Sequence, residues 1–551
     1  MSTQTPTHYD KWGYLIIVLH YHLPFIYHPE YSDPFEEDWL HEAVRETYLP
    51  LLIAFNRLAN MGIKYQVTVS FSGSLMQMLL NPLLQERMYN KLKKSLKLAE
   101  MEVERTSKEA KEFHEAAKMY YRIYRDNLHT FEELGGDILK GYKELAEKGF
   151  LEIITSNATH AFMPLLALDE AGKIAVRNQI EIAVQNFYDY FGWLPKGMWL
   201  PECAYFEGLD KILTDAGIKY TFLEHHGIMY GKPYPVYGTF LPYKTSNGLF
   251  LFGRDPECSR QVWSAKEGYP GDFDYREFYR DIGYDLPLEY IREFIHESGM
   301  RKDTGIKYYR ITGTNVPLGE KKPYIPQTAR AKAELHAGNF MFNRERQVEY
   351  WYKTLGLGIP LAITAPYDAE LFGHWWFEGP WFLEDLLRKI YETNSQYLGT
   401  ITPSQYIENW GDKLAELEPN PSSWGWKGYY EVWLNGSNDY IYRHLHLVTG
   451  ELVKLATELE NTDDPKIELA MNQAVRELLQ AQCSDWPFIM FTGTVTLYAA
   501  NRFKRHILNL HRLIEAIRSG QIDEKLVEQM YNYNPAFKVD FRRYSMNTLK
   551  T

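Results

Sequence analysis

The chain is poor in cysteine. It has three, Cys203, Cys258 and Cys483, and no two of them form a C-x-x-C pair. That excludes a disulfide scaffold and a structural zinc site and points to a reducing compartment. Long apolar runs are missing too. The stretch Met1–Tyr14 is polar, and Leu15–Leu19 is far too short to span a bilayer, so neither a signal peptide nor a membrane helix is expected and the expected location is cytoplasmic. Positive charge is in deficit, with 60 Lys and Arg against 72 Asp and Glu for a net −12. An acidic chain is a poor partner for nucleic acid or an anionic membrane, and a neutral or cationic ligand suits it better. There is no G-x-S-x-G, P-loop or G-x-G-x-x-G, which leaves serine-elbow hydrolase, nucleotidase and dinucleotide readings without support. No repeat of 20–50 residues and no low-complexity tract occurs.

Aromatic residues, by contrast, are abundant: 42 Tyr, 28 Phe and 14 Trp, 15% of the 551 residues. A large aromatic core accounts for most of them. A carbohydrate site is the functional alternative, because a sugar offers flat C–H faces edged with hydroxyls to a ring with a polar tip. Hydrophobic residues make up 45% and charged residues 24%, the balance of a globular protein with a large core.

Short apolar runs punctuate the first 365 residues: Leu15–Leu19, Leu151–Thr155, Gly197–Leu200, Tyr220–Leu223 and Ile359–Thr364. Such runs, several of them after glycine, read as buried strands, and the helical patterns between them imply an α/β domain with a mostly parallel sheet. Residues 83–148 are rich in Lys, Glu, Leu, Met and Ala and lack proline. They are expected to form a helical insertion of two or three helices, broken near Gly135-Gly136. Residues 225–330 are loop-rich, with the length of a lid. Beyond residue 400 helices are expected over Asn438–Leu459, Pro465–Gln482 and Phe488–Ser519. The domain expectation is a catalytic unit over 10–400 and a C-terminal helical unit over 401–540 that contributes to the substrate cleft.

Each strand run leads into polar residues: His20-Tyr21-His22, His160, Glu202, Glu224-His225-His226, and Asp368 with Glu370 and His374 behind it. The C-terminal ends of parallel strands form the active-site face of α/β folds, so this convergence marks a site. His20 and His22, two apart on a strand, point to one side. They read as the floor of a pocket, as metal ligands, or as satisfied core histidines. Glu202 and Asp368 each follow a proline-containing apolar stretch. Two facing carboxyls can split a glycosidic bond, although either acid alone is also consistent with a helix cap or an arginine partner. Cys203 lacks the surroundings of a cysteine nucleophile. Trp424, Trp426, Tyr429, Tyr430 and Trp433 are interleaved with Gly425 and Gly428, an exposed aromatic loop suited to stacking on a ligand.

These stretches resemble the signatures of glycoside hydrolase family 57: His20-Tyr21-His22-Leu23-Pro24, Thr155 to His160, Trp199-Leu200-Pro201-Glu202, Ala365 to Trp376, and Ser484-Asp485-Trp486-Pro487-Phe488. The last, with Ser423-Trp424-Gly425, is most similar to the 1,4-α-glucan branching enzymes of that family. The resemblance implies an incomplete, TIM-like (β/α)7 barrel with a helical insertion and a C-terminal all-helical domain. It implies Glu202 as nucleophile and Asp368 as general acid/base, with Arg254, Gly271, Trp424 and Asp485 on the glucan and His20, His22 and His160 around the scissile bond. Tyr243 is expected on a loop covering the cleft, and Trp433 among the substrate-binding aromatics. No metal or organic cofactor is implied. The expected partners are α-1,4-glucan donor and acceptor, with a monomer or small homo-oligomer as the assembly. One departure is Thr494, where relatives often carry Gln. The alternatives are an amylase-like hydrolase of the same family, a metal-dependent carbohydrate deacetylase using His20, His22 and an acid, and a non-catalytic glucan-binding protein.

Overall fold

The computed structural model describes residues 10–264 and 266–549. Its centre is a nine-stranded sheet. The strands are β1 (Gly13–Tyr21), β2 (Val67–Phe71), β3 (Leu151–Ser156), β4 (Gly197–Trp199), β5 (Tyr220–Leu223), β6 (Tyr243–Lys244), β7 (Phe250–Gly253), β8 (Leu361–Asp368) and β9 (Leu398–Thr400). The order runs β6-β7-β5-β4-β3-β2-β1-β8, and β9 pairs with the start of β1. All pairings are parallel except the β6–β7 edge. Leaving aside β6 and β9, seven parallel strands curl until their ends meet. Arg254, just past β7, bridges Thr364 of β8, and the Asp255 amide donates to the Thr364 carbonyl at 2.9 Å. This is the expected (β/α)7 barrel, closed at one point rather than along a whole strand.

The closure explains a proline inside a strand. In an extended chain the N–H and C=O of alternate residues point to the same side. Thr364 therefore faces β7, and so does Pro366, two residues on. Beyond Thr364 nothing pairs on that side, so the missing N–H of Pro366 costs no ladder bond.

β1 is buried along its whole length, as a central parallel strand must be. Its side chains alternate between two cores. Leu15, Ile17, Leu19 and Tyr21 join the large outer core with the helices. Tyr14, Ile16 and Val18 pack inside the barrel with Ile154, Trp199, Phe222 and Phe252. His20 continues the inward series, so the site floor begins where the apolar filling stops.

The insertion forms helices Pro82–Lys108, His114–Glu133 and Ile138–Glu147. The first starts at Asn81, whose side chain accepts from the Leu83 and Leu84 amides. The break falls at Gly135 and Gly136, both at positive φ. β2, β6, β7 and β9 lie outside the expected strands, and β6 and β7 run through the region expected to be loop. A 30-residue helix, Pro326–Leu355, leads into β8. C-terminal helices span Tyr440–Glu458, Pro465–Ala481, Asp485–Thr492, Thr496–Ser519 and Glu524–Tyr533. The expected helix Phe488–Ser519 is in fact two, separated at Gly493 with φ +77°. Among the described residues no helix is long and apolar enough to cross a membrane.

Candidate active site

A cleft of ≈ 1030 Å³ opens at the C-terminal ends of the strands, lined by His20, His22, His160, Glu202, Arg254, Asp368, Trp424 and Asp485. Trp39, Trp263, Trp375, Trp426 and Phe488 extend its walls. Gly271 and Tyr243 are not among the residues bordering it. Gly271 ends the turn Tyr269–Gly271. Tyr243 is buried in β6, and its hydroxyl accepts from the Tyr237 amide at 3.2 Å. Trp433 borders the cleft, but its side chain is buried and stacks on Phe162 at 4.4 Å. It props the aromatic loop: a Cβ at Gly425 would stand 2.6 Å from the Trp433 ring, so glycine alone lets the loop lie this close.

Three imidazoles form the floor. His22 stacks on His160 with centroids 3.7 Å apart, and His20 on Trp199 at 4.8 Å. Ser70 Oγ lies 3.2 Å from His20 Nδ1, His20 Nε2 lies 3.0 Å from His160 Nε2, and His160 Nδ1 lies 2.8 Å from Ser484 Oγ. In parallel, Ser72 Oγ lies 2.8 Å from His22 Nδ1, and His22 Nε2 lies 2.8 Å from Asp485 Oδ2. Burial and mutual repulsion lower the pKa of both His20 and His160. Of two imidazole nitrogens facing each other one must donate and one accept, so that contact itself requires one neutral ring. The Asp485 carboxyl, opposed by burial but held by His22, His160 and the Cys483 thiol, sits at about 2. One ligand atom each from His22, His160 and Asp485 falls within 4.8 Å of the others, the makings of a metal site. Every one of those imidazole nitrogens is engaged by a neighbouring side chain, so the donor set reads as a hydrogen-bonded floor.

Glu202 follows β4 on a tight turn. It has φ +60°, Cys203 +51° and His160, across the floor, +57°. Non-glycine residues in this region cost about 1–3 kcal/mol each and persist where the surroundings impose them. The imposed contacts are explicit. Trp424 Nε1 donates to Glu202 Oε2 at 2.7 Å, and the Trp424 amide donates to the Glu202 carbonyl at 2.9 Å. His160 Nδ1 lies 3.9 Å from Glu202 Oε1. Burial pushes the Glu202 carboxyl up to about 8, opposed by the Trp424 bond and reinforced by Asp368.

Asp368 ends β8, in register with His20 of β1. Burial pushes it up to about 7, against His22 and Arg254. Glu370, two residues on, is also pushed up by burial, to about 8; it accepts from the Tyr48 hydroxyl and, at 3.4 Å, from the His22 amide. Arg254 Nη1 donates to Glu224 Oε2 at 2.8 Å, and its guanidinium lies 5.2 Å from the Trp424 ring centre. His374 Nδ1 is held by Glu46 Oε2 at 2.8 Å. The cleft thus has three part-buried carboxyls raised into the neutral range, two floor imidazoles, His20 and His160, held neutral, and aromatic walls. That chemistry suits proton transfer and nucleophilic attack on a sugar.

The model of glycosyl hydrolase family 57 matches residues 16–348, and that of the 1,4-alpha-glucan branching enzyme C-terminal region matches 444–544. The chain belongs to glycosyl hydrolase family 57. It is 33% identical over 96% of its length to the 1,4-alpha-glucan branching enzyme TK1436 of Thermococcus kodakarensis, covering 77% of that protein. Among solved structures, the alpha-amylase AmyC from Thermotoga maritima is 40% identical with a TM-score of 0.90, over 97% of this chain and 99% of that one. The branching enzyme TK1436 in complex with glucose and additives is 32% identical with a TM-score of 0.86, over 97% and 96%.

Missed in the sequence were Ser70 and Ser72, which orient His20 and His22, and Glu46, which orients His374; Ser484 was quoted within a signature, but its contact with His160 was not foreseen. Ser70 and Ser72 are spaced i, i+2 at the end of β2, the same signal that exposed His20 and His22. That signal was lost because β2 itself was not recognised.

Proposed function

We propose that the protein is a 1,4-α-glucan branching enzyme that works by retaining double displacement. The observation that carries the reading is the pair of part-buried carboxyls, Glu202 and Asp368, in a tryptophan-walled cleft that the C-terminal helices complete through Ser484 and Asp485. Glu202 Oε attacks the anomeric carbon while protonated Asp368 gives its proton to the departing O4. A glucosyl ester forms on Glu202, and the donor's reducing-end fragment leaves with a free 4-hydroxyl. Asp368, now a carboxylate, takes the proton from the 6-hydroxyl of an acceptor chain. That oxygen displaces Glu202, giving an α-1,6 branch and restoring both groups.

Burial raises both carboxyls into the neutral range, and the reaction needs Glu202 ionised and Asp368 protonated. A bound glucosyl unit favours that pairing. Positive charge growing on the anomeric carbon favours ionised Glu202, already served by the Trp424 N–H. A sugar over Asp368 removes its remaining water and favours the acid form. Transfer also requires that the ester meet a hydroxyl before water. The exposed rings of Trp375 and Trp426 and the half-exposed Phe488 give an acceptor chain a place to lie.

A second reading, hydrolysis of α-1,4-glucan, is favoured by the 40% identity to an alpha-amylase structure over nearly the whole chain. Proton NMR of amylose incubated with the enzyme separates the two. A rising α-1,6 anomeric signal with few new reducing ends is expected. Reducing ends without α-1,6 signal would make the protein a hydrolase.

A further inference from the structure

The cleft wall beyond Asp368 presents an imidazole that the double displacement leaves idle. His374 follows Asp368 in the same segment and lines the same cleft. Glu46 Oε2 holds its Nδ1 at 2.8 Å, and Arg45 Nη2 donates to Glu46 Oε1 at 2.8 Å. Opposed by burial but held by Arg45 and His374, the Glu46 carboxyl sits well below its usual range. An ionised carboxylate only accepts, so His374 Nδ1 carries the hydrogen and the ring is fixed in one orientation. Nε2 has no partner among the described residues, and it is not sealed in the interior: it is open to the cleft.

The backbone is shaped to present this ring. The His374 amide donates to Thr47 Oγ1 at 3.2 Å. Gly373 has φ +121°, and a Cβ there would fall 1.9 Å from the Glu46 carbonyl oxygen, so only glycine lets the segment lie against Val44–Tyr48. Val44–Tyr48 is itself wound wider than an α-helix, a rare local form that recurs at functional sites. Beside the imidazole stands an open aromatic face. Trp375 is 57% exposed and stacks on Phe278 at 5.0 Å, and both rings meet His374 edge-on, at 4.9 and 5.5 Å. Glu42, one helical turn before Glu46 and near enough for Glu46 and His374 to act on its charge, lines the cleft as well. A flat ring beside a hydrogen-bonding nitrogen and a carboxyl matches the C–H face and hydroxyl edge of a pyranose.

Asp368 decides which pyranose. It protonates the departing oxygen and later takes the proton of the incoming hydroxyl, so the fragment that leaves and the chain that arrives use one side of the cleft. Glu202 is held from the other side, by Trp424. We propose that His374 binds the acceptor chain: its Nε2 hydrogen-bonds a hydroxyl of the glucosyl unit that lies on Trp375, and Glu46 is the positioning residue that fixes its direction. The assignment rests on the branching reaction proposed above.

The test is the partition of the glucosyl ester. However fast the ester forms, it meets either an acceptor hydroxyl or water, so the ratio of α-1,6 signal to new reducing ends from amylose reports on the acceptor side. His374→Ala is expected to lower that ratio about tenfold, the effect of one lost hydrogen bond to a held hydroxyl. Two amides separate a ligand contact from a structural prop. Gln places its amide where Nε2 stands, and Asn where Nδ1 stands. His374→Gln is therefore expected to keep most of the parent's ratio, and His374→Asn, which still bonds Glu46, to fall as far as His374→Ala. The reverse order would make His374 a prop for Glu46 and overturn the proposal. Glu46→Gln is expected to lower the ratio in the parent and to add nothing in His374→Ala, as a residue acting through the imidazole must. Trp375→Ala removes an exposed ring, leaves the core untouched, and is expected to lower the ratio too. An unchanged ratio in His374→Ala or in Trp375→Ala overturns the acceptor site and leaves branching standing. A parent enzyme that yields reducing ends without α-1,6 signal overturns the branching reading and this assignment with it.

Discussion

Glu202 and Asp368 are both carboxyls, so exchanging either for its amide tests necessity but not role. Azide distinguishes the roles. In Asp368→Ala, Glu202 still forms the ester from an activated glucosyl donor, and azide attacks it from the acid/base side, so the product is the α-glucosyl azide. In Glu202→Ala, azide takes the place of the missing nucleophile and leaves the β-glucosyl azide. Reversed anomers would exchange the two assignments. Glu202→Gln, with no nucleophile, is expected to lose about 10⁴-fold or more in kcat for transfer and hydrolysis alike. Retained activity in a Glu202→Gln assay would falsify the mechanism.

The same residue governs a dependence on pH. Its carboxyl is raised from 4.5 to about 8 in the folded chain, so the folded state binds the proton more tightly than the unfolded one. The stability this confers relative to the ionised state is complete below about pH 4.5 and is lost as pH rises through about 8. Glu202→Gln cannot ionise. Its melting temperature should match the parent's at pH 5 and exceed it increasingly towards pH 9, by an amount worth about 2–5 kcal/mol. An equal difference at both pH values would show that Glu202 is not raised.

At the scale of elements, the aromatic loop and the turn after β4 hold one another. The Trp424 N–H favours ionised Glu202, so Trp424→Phe removes that support and should raise the Glu202 pKa further. The acid limb of kcat/KM then moves to higher pH. A limb that stays in place would mean that the indole only fills space. Gly425→Ala should cost activity through the same contact, because a methyl 2.6 Å from Trp433 pushes Trp424 off Glu202. Its expected signature is a fall in kcat with the fold retained by circular dichroism.

This scale also decides what the sequence alone can tell. Buried strands rich in Leu and Ile, such as β1 and β3, are visible as runs, and the polar residues at their ends point to the cleft. β2 reads Val-Thr-Val-Ser-Phe, and its hydroxyls hide a strand whose five residues are all buried. β7 is four residues in a glycine-rich stretch, recognisable only once Arg254 is seen to close the barrel on Thr364. The carboxyls and histidines were legible because glycoside chemistry needs those residue types. Tyr243, between proline and glycine residues, suggests a surface loop in the sequence, and in the fold it is a buried strand residue whose hydroxyl accepts from a backbone amide. Trp433 borders the cleft, and its glycine neighbour Gly425, which suggests exposure in the sequence, makes room for its ring.

At the scale of the molecule, barrel and C-terminal helices share one site and many buried bonds. Arg502 donates to the Phe25 carbonyl at 2.9 Å, Thr159 to the Leu479 carbonyl at 2.5 Å, and His28 meets the Tyr498 hydroxyl at 2.9 Å. A chain so tied should melt in a single calorimetric transition, with loss of activity coincident with loss of helix. Two separated transitions would show that the helices fold on their own and merely rest against the barrel.

One thread runs through all three scales. Along β1 the inward residues are Tyr14, Ile16, Val18 and then His20, filling first and chemistry last. The strand works like a reading frame of two. One residue inserted below Val18 would turn the histidines outward and expose the filling together, so fold and catalysis would fail as one. Two inserted residues would preserve the facing but lift the floor by about 6.6 Å, and the barrel would survive with its chemistry above the substrate. Length polymorphism in this strand is therefore open only in even steps for the fold, and closed altogether for the enzyme.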